Sequence, residues 1–304
     1  MKKFASFFVI LAASLWAVDG IVLRPSLFNL PVTLVVFIES TIVALLLTPF
    51  MYRYFNDIKK LTLKDWLAYF GVALLGGAIG TMSITKALFY VNYVNLSIVI
   101  LIQKLQPVFA ISFAAIFLKE RQPREFFFWA ALAIIGAYFM TFGLHIPVVS
   151  AEDKTTIAVL FALLAALSFS SSTVLSKRAL KNVSFELGTY LRFAITSVIM
   201  LIIVLATGTI NSFADVSTKQ IYIFILIAFT TGGPAIFLYY YGLKRISASV
   251  ASICELAFPL TAVILEFALR DNILGPVQWA GALILLFSIL RVTRITSIMV
   301  KNSS

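Results

Sequence analysis

Polar side chains lie inside a stretch of this sequence that is otherwise apolar enough to cross a membrane. The segment "SIVILIQKLQPVFAISFAAIFLKE", residues 97–120, carries Gln103, Lys104 and Gln106 directly before Pro107. A charge at the centre of a bilayer costs about 3 kcal/mol on insertion scales. Such side chains therefore pair with an opposite charge or face a water-filled path.

Other ionisable residues also fall inside apolar segments, namely Asp19, Glu39, Lys86, Arg192 and Glu255. If the second and fourth predicted helices start at the same membrane face, Glu39 lies roughly 12 Å deep and Lys104 roughly 13 Å deep. Arg192 and Glu255 lie roughly 9 Å and 12 Å from the opposite face. These depths predict two ion pairs of reversed sign, Glu39 with Lys104 and Arg192 with Glu255.

Two roles stay open for these charges, since each pair either pins two helices together or lines a substrate cavity. We predict that Lys104 and Glu255 line the cavity with Gln103 and Gln106, and that Glu39 and Arg192 support them. Lys86 is expected to bridge Asp19 or Glu266 near the outer face and to contact the substrate in the cavity. A carboxylate that is not locked to a base can titrate near neutral pH. The candidates for such a carboxylate are Asp19, Glu39 and Glu255.

The composition requires a membrane for most of the chain. The 304 residues are 61% hydrophobic and 12% charged, with a mean hydropathy of +1.02. Apolar runs of about 18–22 residues, enough to span a bilayer as helices, recur throughout. We predict an all-α integral membrane protein with ten helices, near residues 4–23, 31–51, 66–90, 95–118, 124–143, 156–177, 185–206, 218–241, 247–270 and 274–293.

The basic residues predict the orientation of these helices. Of the 24 Lys and Arg residues, 17 fall at one predicted face and three, Lys86, Lys104 and Arg192, fall within spans. The other face has four, Arg24, Lys154, Lys219 and Arg270. Because cytoplasmic loops are rich in Lys and Arg, both termini are expected in the cytoplasm. This bias also accounts for most of the net charge of +11, so nucleic-acid binding is not needed to explain it.

The two halves of the chain resemble each other. "QPVFAISFAAIFLKE" (106–120) aligns with "FPLTAVILEFALRD" (258–271), and "AASLWA" (12–17) aligns with "AALSFS" (165–170). Each repeat has five predicted helices, and an odd number inserts the second copy upside down. Inverted repeats are typical of transporters that alternate access around one central site.

These motifs resemble the EamA-type transporters of the drug/metabolite transporter superfamily. The "LWA" of the first helix is similar to the family's small-Trp-small start. A proline followed by an acidic residue at the helix end, Glu120 or Asp271, is similar to its strongest motif. The chain departs from the family at Glu39, where an Arg is frequent, and at "LRDN" near the end of the ninth helix.

The resemblance implies repeats at residues 1–147 and 155–296, with Trp16 and Asp19 beside the cavity. Pro107 and Pro259 would act as hinges. The expected function is a secondary transporter of a small polar or amphipathic metabolite, with an amino acid favoured. An alternative is an antiporter that imports a nucleotide-like or sulfonium compound from a host or the environment. A channel or a membrane-embedded enzyme is the alternative of another class.

Few residues are available for catalysis or metal binding. The chain has one cysteine, Cys254, and one histidine, His145, which excludes an intrachain disulfide and a Cys- or His-based metal cluster. The sequence lacks Walker, HExxH and GxSxG motifs. We therefore expect no enzymatic activity, no cofactor and no metal.

The expected partners are a small-molecule substrate, the lipid bilayer of the inner or plasma membrane, and either protons or a counter-substrate. The chain is expected to be a monomer or a weak homodimer. The signal-like start, "MKKFASFFVILAASLWA", is expected to remain as the first helix because the second repeat contains its counterpart.

Overall fold

The computed structural model of the protein describes residues 4–90, 99, 102–103, 105–144, 155–270 and 275–302. All regular secondary structure in these ranges is helical. Nine of the described helices are long and apolar enough to cross a membrane, and one apolar helix is shorter. In chain order they are α1 Ala5–Leu27, α2 Val32–Tyr54, α3 Leu63–Tyr90, α4 Gln106–Phe117 (the shorter one), α5 Arg124–Phe142, α6 Thr156–Ala179, α7 Phe185–Ala206, α8 Thr218–Leu243, α9 Ala248–Leu269 and α10 Pro276–Ile295.

The helix positions agree closely with those expected from hydropathy, with informative exceptions. α3 begins at Leu63 rather than at residue 66, because Thr62 and Asp65 form a reciprocal capping box at its start. α1 continues past residue 23 through a π-helical turn, Asp19–Leu23, and a 3₁₀ turn, Arg24–Leu27. The first part of the predicted fourth helix lies mostly outside the described residues, so ten spans stay a prediction.

The helices pack in pairs that recur along the chain. α1 packs against α8 and α9, and α6 packs against α3 and α4. α2 packs against α7, and α5 packs against α10. If α1 is exchanged for α6, α2 for α7, and so on through α5 and α10, the same set of packing pairs is obtained.

α9 is interrupted in its middle. Its first half ends at Cys254 and its second half begins at Ala257. Pro259 has no N–H to donate to the carbonyl of Glu255, which accepts instead from the N–H of Phe258 at 3.0 Å. The interruption leaves Glu255 at the end of a helical segment in the interior of the bundle.

α4 has a similar irregularity at its described start. It begins at Gln106 after a turn at Leu105, whose carbonyl accepts from the N–H of Val108 at 2.9 Å. Pro107 occupies the first turn, where its missing N–H removes no helical hydrogen bond. The helices are irregular at the two prolines, as expected. The role of Pro107 and Pro259 as hinges stays a prediction.

α5 and α10 cross at two glycines. A Cβ atom on Gly281 would collide with the backbone nitrogen of Met140 and would lie 2.8 Å from the carbonyl oxygen of Gly136. A Cβ atom on Gly136 would lie 2.8 Å from the backbone nitrogen of Leu285. Small residues allow membrane helices to approach this closely.

Gly281→Ala is expected to destabilise the protein by about 1–3 kcal/mol, because the methyl group meets rigid backbone and must push α5 and α10 apart. Thermal unfolding of detergent-purified protein measures the change. Gly275→Ala, near the start of α10, is the control, since a Cβ there would meet only the Gln278 side chain at 3.6 Å. Equal stability of the two variants would contradict a close crossing.

Candidate functional site

A cavity of about 200 Å³ lies at the centre of the bundle. Eight helices, α1 to α4 and α6 to α9, line the cavity, and Gln103 is counted with α4. α5 and α10 contribute no lining residue. The wall contains both charged and aromatic side chains. A small polar or amphipathic solute could be enclosed there without contact with lipid.

A buried ion cluster forms one part of the lining. The guanidinium of Arg24 donates to Oδ2 of Asp19 at 2.6 and 2.9 Å and to the carboxylate of Glu39 at 2.9 and 3.2 Å. Arg24 also donates to the hydroxyl of Thr85 at 3.1 Å. The cluster joins α1 to α2 and α3. All four residues are less than one-tenth exposed, so the cluster depends on its internal bonds rather than on water.

The cluster corrects one expectation. Arg24 is expected outside the first helix, at the outer face, whereas α1 extends through it and buries it. The predicted pair of Glu39 with Lys104 involves a residue outside the described part of the chain; within that part the ionic partner of Glu39 is Arg24. Lys104 lies outside the described residues, so its predicted contact with substrate stays a prediction.

Glu255 connects three helices at the interruption of α9. Its Oε2 accepts from the amide of Gln106 in α4 at 2.5 Å, and its Oε1 accepts from the hydroxyl of Tyr239 in α8 at 2.7 Å. The Tyr239 oxygen lies 2.8 Å from the hydroxyl of Thr173 in α6. Gln103, Gln106 and Glu255 all line the cavity, and their contact with substrate stays a prediction.

Arg192 lines the cavity but does not pair with Glu255 in the described part of the chain. Its guanidinium donates to the carbonyl of Gly76 at 3.1 Å and to the hydroxyl of Tyr240 at 3.4 Å. The Gly76 carbonyl belongs to a π-helical turn of α3, Ala73–Ile79. The predicted Arg192–Glu255 ion pair is therefore wrong, and both of these hydrogen bonds of Arg192 are to neutral groups.

Aromatic rings provide a second kind of surface in the cavity. The rings of Trp16 in α1 and Tyr239 in α8 pack with their centroids 5.3 Å apart. Phe169, Phe193 and Phe258 approach the cavity from three other helices. Flat apolar surface thus lies beside the amides and the guanidinium, a combination that suits a planar heteroaromatic solute.

Lys86 does not reach the cavity, contrary to expectation. It is exposed near the end of α3, where its ammonium lies 4.9 Å from the centre of the Phe161 ring and 5.7 Å from that of Tyr90. These are cation–π distances, so the charge has partners without a carboxylate. Lys86 is removed from the set of cavity residues.

The acidic residue at the end of the fourth helix caps another helix. The carboxylate of Glu120 accepts from the backbone N–H groups of Ala248 and Ser249, at 2.8 and 3.1 Å, and from the Ser249 hydroxyl at 2.7 Å. It therefore satisfies the free N–H groups at the start of α9. The corresponding Asp271 lies outside the described residues.

Three residues of the site were missed from the sequence. Arg24 follows the apolar run and precedes a proline, which is typical of a loop, although Asp19 five residues earlier was a usable indication of an ion pair. Tyr239 lies near the predicted cytoplasmic end of its helix, where a tyrosine is typical of an interfacial belt, yet it is 3% exposed and hydrogen-bonded to Glu255. Thr231 is one hydroxyl residue in an apolar helix, and nothing in the sequence distinguishes it.

Comparisons with known proteins agree on one class. The model of the EamA-like transporter family matches residues 3–142 and again residues 156–294. The riboflavin transporter ImpX of Fusobacterium nucleatum subsp. nucleatum is 44% identical over 288 residues, which cover 94% of this chain and 96% of that protein.

More distant matches are consistent with this result. The uncharacterized transporter sll1164 of Synechocystis sp. is 25% identical over 236 residues, covering 76% of this chain and 66% of that protein. A solved protein crystal structure matches with a TM-score of 0.74 and 14% identity, over 98% of this chain and 100% of that one. At this identity the match establishes the fold alone.

Proposed function

The chain belongs to the EamA-like transporter family, whose members carry small metabolites across membranes, and on that premise we propose that it is a secondary transporter of riboflavin. Family and relatives indicate a transporter rather than an enzyme. The amino-acid substrate expected from the sequence has no support in the comparisons, because the relative with 44% identity is named for riboflavin.

The lining of the central cavity carries the proposal. Riboflavin has a flat fused-ring system, a polar edge with two carbonyl groups, and a polyhydroxyl ribityl chain. Trp16 and Tyr239 offer aromatic surface for the ring. Gln103, Gln106 and Arg192 offer amide and guanidinium donors for its carbonyl edge. A zwitterionic amino acid would leave most of this aromatic surface without a partner.

Alternating access between two inverted five-helix repeats, residues 1–147 and 155–296, is the proposed mechanism. The packing pairs that map onto one another support it, and so do the two separate matches of the family model. α4 and α9 are irregular at their prolines, at the point where Gln106 and Glu255 meet. Broken helices at a central site are typical of such carriers.

The proposed location is the cell membrane, with both termini in the cytoplasm. The positive-inside bias of 17 against four supports this orientation. The difference in Lys and Arg count between the two faces becomes larger when Arg24 is removed from the group of four, because its charge lies in the buried cluster. Protons or a counter-substrate remain the proposed coupling partners.

Proteoliposomes preloaded with unlabelled riboflavin are expected to accumulate labelled riboflavin from outside by counterflow. Trp16→Ala is expected to lower the initial rate about tenfold, since it removes one of the ring-binding surfaces. The matched control is Trp279→Ala, a tryptophan in α10 that is 52% exposed and lies outside the cavity.

Protein-free vesicles are the negative control, and vesicles loaded with amino acids test the alternative substrate. Counterflow by an amino acid without counterflow by riboflavin would overturn the proposed substrate and leave the family assignment intact. Equal rates for the two tryptophan variants would remove Trp16 from the binding site.

A further inference from the structure

One wall of the cavity has polar atoms that no described protein group satisfies. Oδ1 of Asp19 in α1 and Oγ1 of Thr231 in α8 are buried without a hydrogen-bond partner in the described part of the chain. Ser40 in α2 adds a hydroxyl on a buried residue. All three residues line the cavity, and together we call them the polar wall.

Buried polar atoms without partners are uncommon, because each one gives up its hydrogen bonds to water. The second carboxylate oxygen of Asp19, Oδ2, is held in place because it accepts two hydrogen bonds from Arg24. Its Oδ1 is therefore a charged acceptor held in place by the ion cluster. Ser40 and Thr231 add hydroxyls that accept as well as donate. The polar wall suits a ligand that presents several hydroxyl groups.

The polar wall lies next to the aromatic pair. α1 and α8 run antiparallel, because Gly242 near the end of α8 packs against Ala5 at the start of α1. Asp19 is one turn beyond Trp16 on α1, a rise of roughly 4.5 Å. Thr231 is eight residues from Tyr239 on α8, a rise of roughly 12 Å in the same direction. A ligand whose ring lies against the surface formed by Trp16 and Tyr239 would extend a side chain along this wall.

We propose that the polar wall is the subsite for the polyhydroxyl chain of a flavin, and that Asp19 and Thr231 determine the preference for flavins that carry this chain. The inference rests on the proposed function, because it takes the flavin ring to bind at Trp16 and Tyr239. It adds the orientation of the ligand and the residues that recognise its tail.

Binding to purified protein, followed by quenching of flavin fluorescence, tests the subsite with two ligands. Riboflavin has the ribityl chain, and lumiflavin has the same ring with a methyl group in its place. Thr231→Val is expected to weaken riboflavin binding by about two- to tenfold and to leave lumiflavin binding unchanged. It should not lower thermal stability, because the hydroxyl it removes has no protein partner.

Thr230→Val is the matched control. It removes the hydroxyl of the adjacent residue, which is half-buried and bonds to the carbonyl of Leu226 instead of lining the cavity. Asp19→Asn should weaken riboflavin binding by about tenfold or more, since hydrogen bonds to charged acceptors are stronger. Thr85→Val is its control, because Thr85 bonds to the same guanidinium but is not part of the cavity lining.

The outcomes separate the two proposals. A loss confined to riboflavin in Thr231→Val and Asp19→Asn supports the subsite. An equal loss for both ligands, or no loss for either, overturns it while the parent protein still binds riboflavin. If the parent binds neither flavin, the proposed function fails, and the subsite fails with it. Should Asp19→Asn not fold, Thr231→Val still decides the question.

Discussion

Arg24→Met is expected to prevent the accumulation of folded protein. The substitution removes the base that holds Asp19 and Glu39 and leaves two buried carboxylates close together. Removing one partner of a buried ion pair typically costs about 3–5 kcal/mol, and here two pairs are lost. Size-exclusion profiles of a fluorescent fusion, with thermal unfolding of any recovered protein, measure the effect.

A triple variant distinguishes charge from packing as the cause. Arg24→Met combined with Asp19→Asn and Glu39→Gln removes every charge of the cluster at similar volume. Because a neutral replacement of a buried ion cluster is often tolerated, the triple variant should recover folding. Arg53→Met, at an exposed arginine beside Tyr52, is the control for loss of a positive charge. Normal folding of Arg24→Met would show that the carboxylates do not need this base.

Glu255→Ala is expected to reduce riboflavin counterflow by about a hundredfold while folded protein remains detectable. The carboxylate holds Gln106 and Tyr239 at the interruption of α9, and each bond to a charged acceptor is worth about tenfold or more in an equilibrium. Without it, the amide and the phenol lose their fixed positions in the cavity. Glu125→Ala, at an exposed carboxylate in α5, is the matched control.

A second variant separates a binding role from a structural one. Glu255→Gln removes the charge and keeps both links between helices, because its amide oxygen can accept from Tyr239 and its amide NH2 can donate to the side-chain carbonyl of Gln106 once that amide rotates. If Glu255 only connects helices, this variant should transport nearly as well as the parent. If the group contacts substrate, the variant should fold and transport poorly. Near-parental transport by Glu255→Ala itself would exclude both roles.

Much of the architecture follows from the sequence. The apolar runs located the helices, because a membrane-spanning helix must bury about 20 consecutive residues in hydrocarbon. The prolines located the irregularities of α4 and α9, because proline fits the first turn of a helix but disrupts the hydrogen bonding of a helix interior. The same reasoning selected Asp19, Glu39, Arg192 and Glu255 as unusual, since charges inside a membrane are costly in any fold.

The partners of these charges could not be obtained in the same way. Depth along a helix gives one coordinate of a side chain, and it placed Glu39 level with Lys104 and Arg192 near Glu255. It does not give the direction in which the side chain points or the helix that it faces. α2 and α3 turn Glu39 and Thr85 toward Arg24, whereas Arg192 meets Tyr240 and the Gly76 carbonyl.

The sequence by itself determined a helical membrane protein of this family, the irregular helices and which buried charges need explanation. Only the tertiary structure decided that Arg24 is part of the core, that Tyr239 is an internal donor and that Lys86 is outside the cavity. The physical reason is that hydropathy and helix breaking are local properties of the chain. The choice of a partner depends on how distant helices rotate against one another.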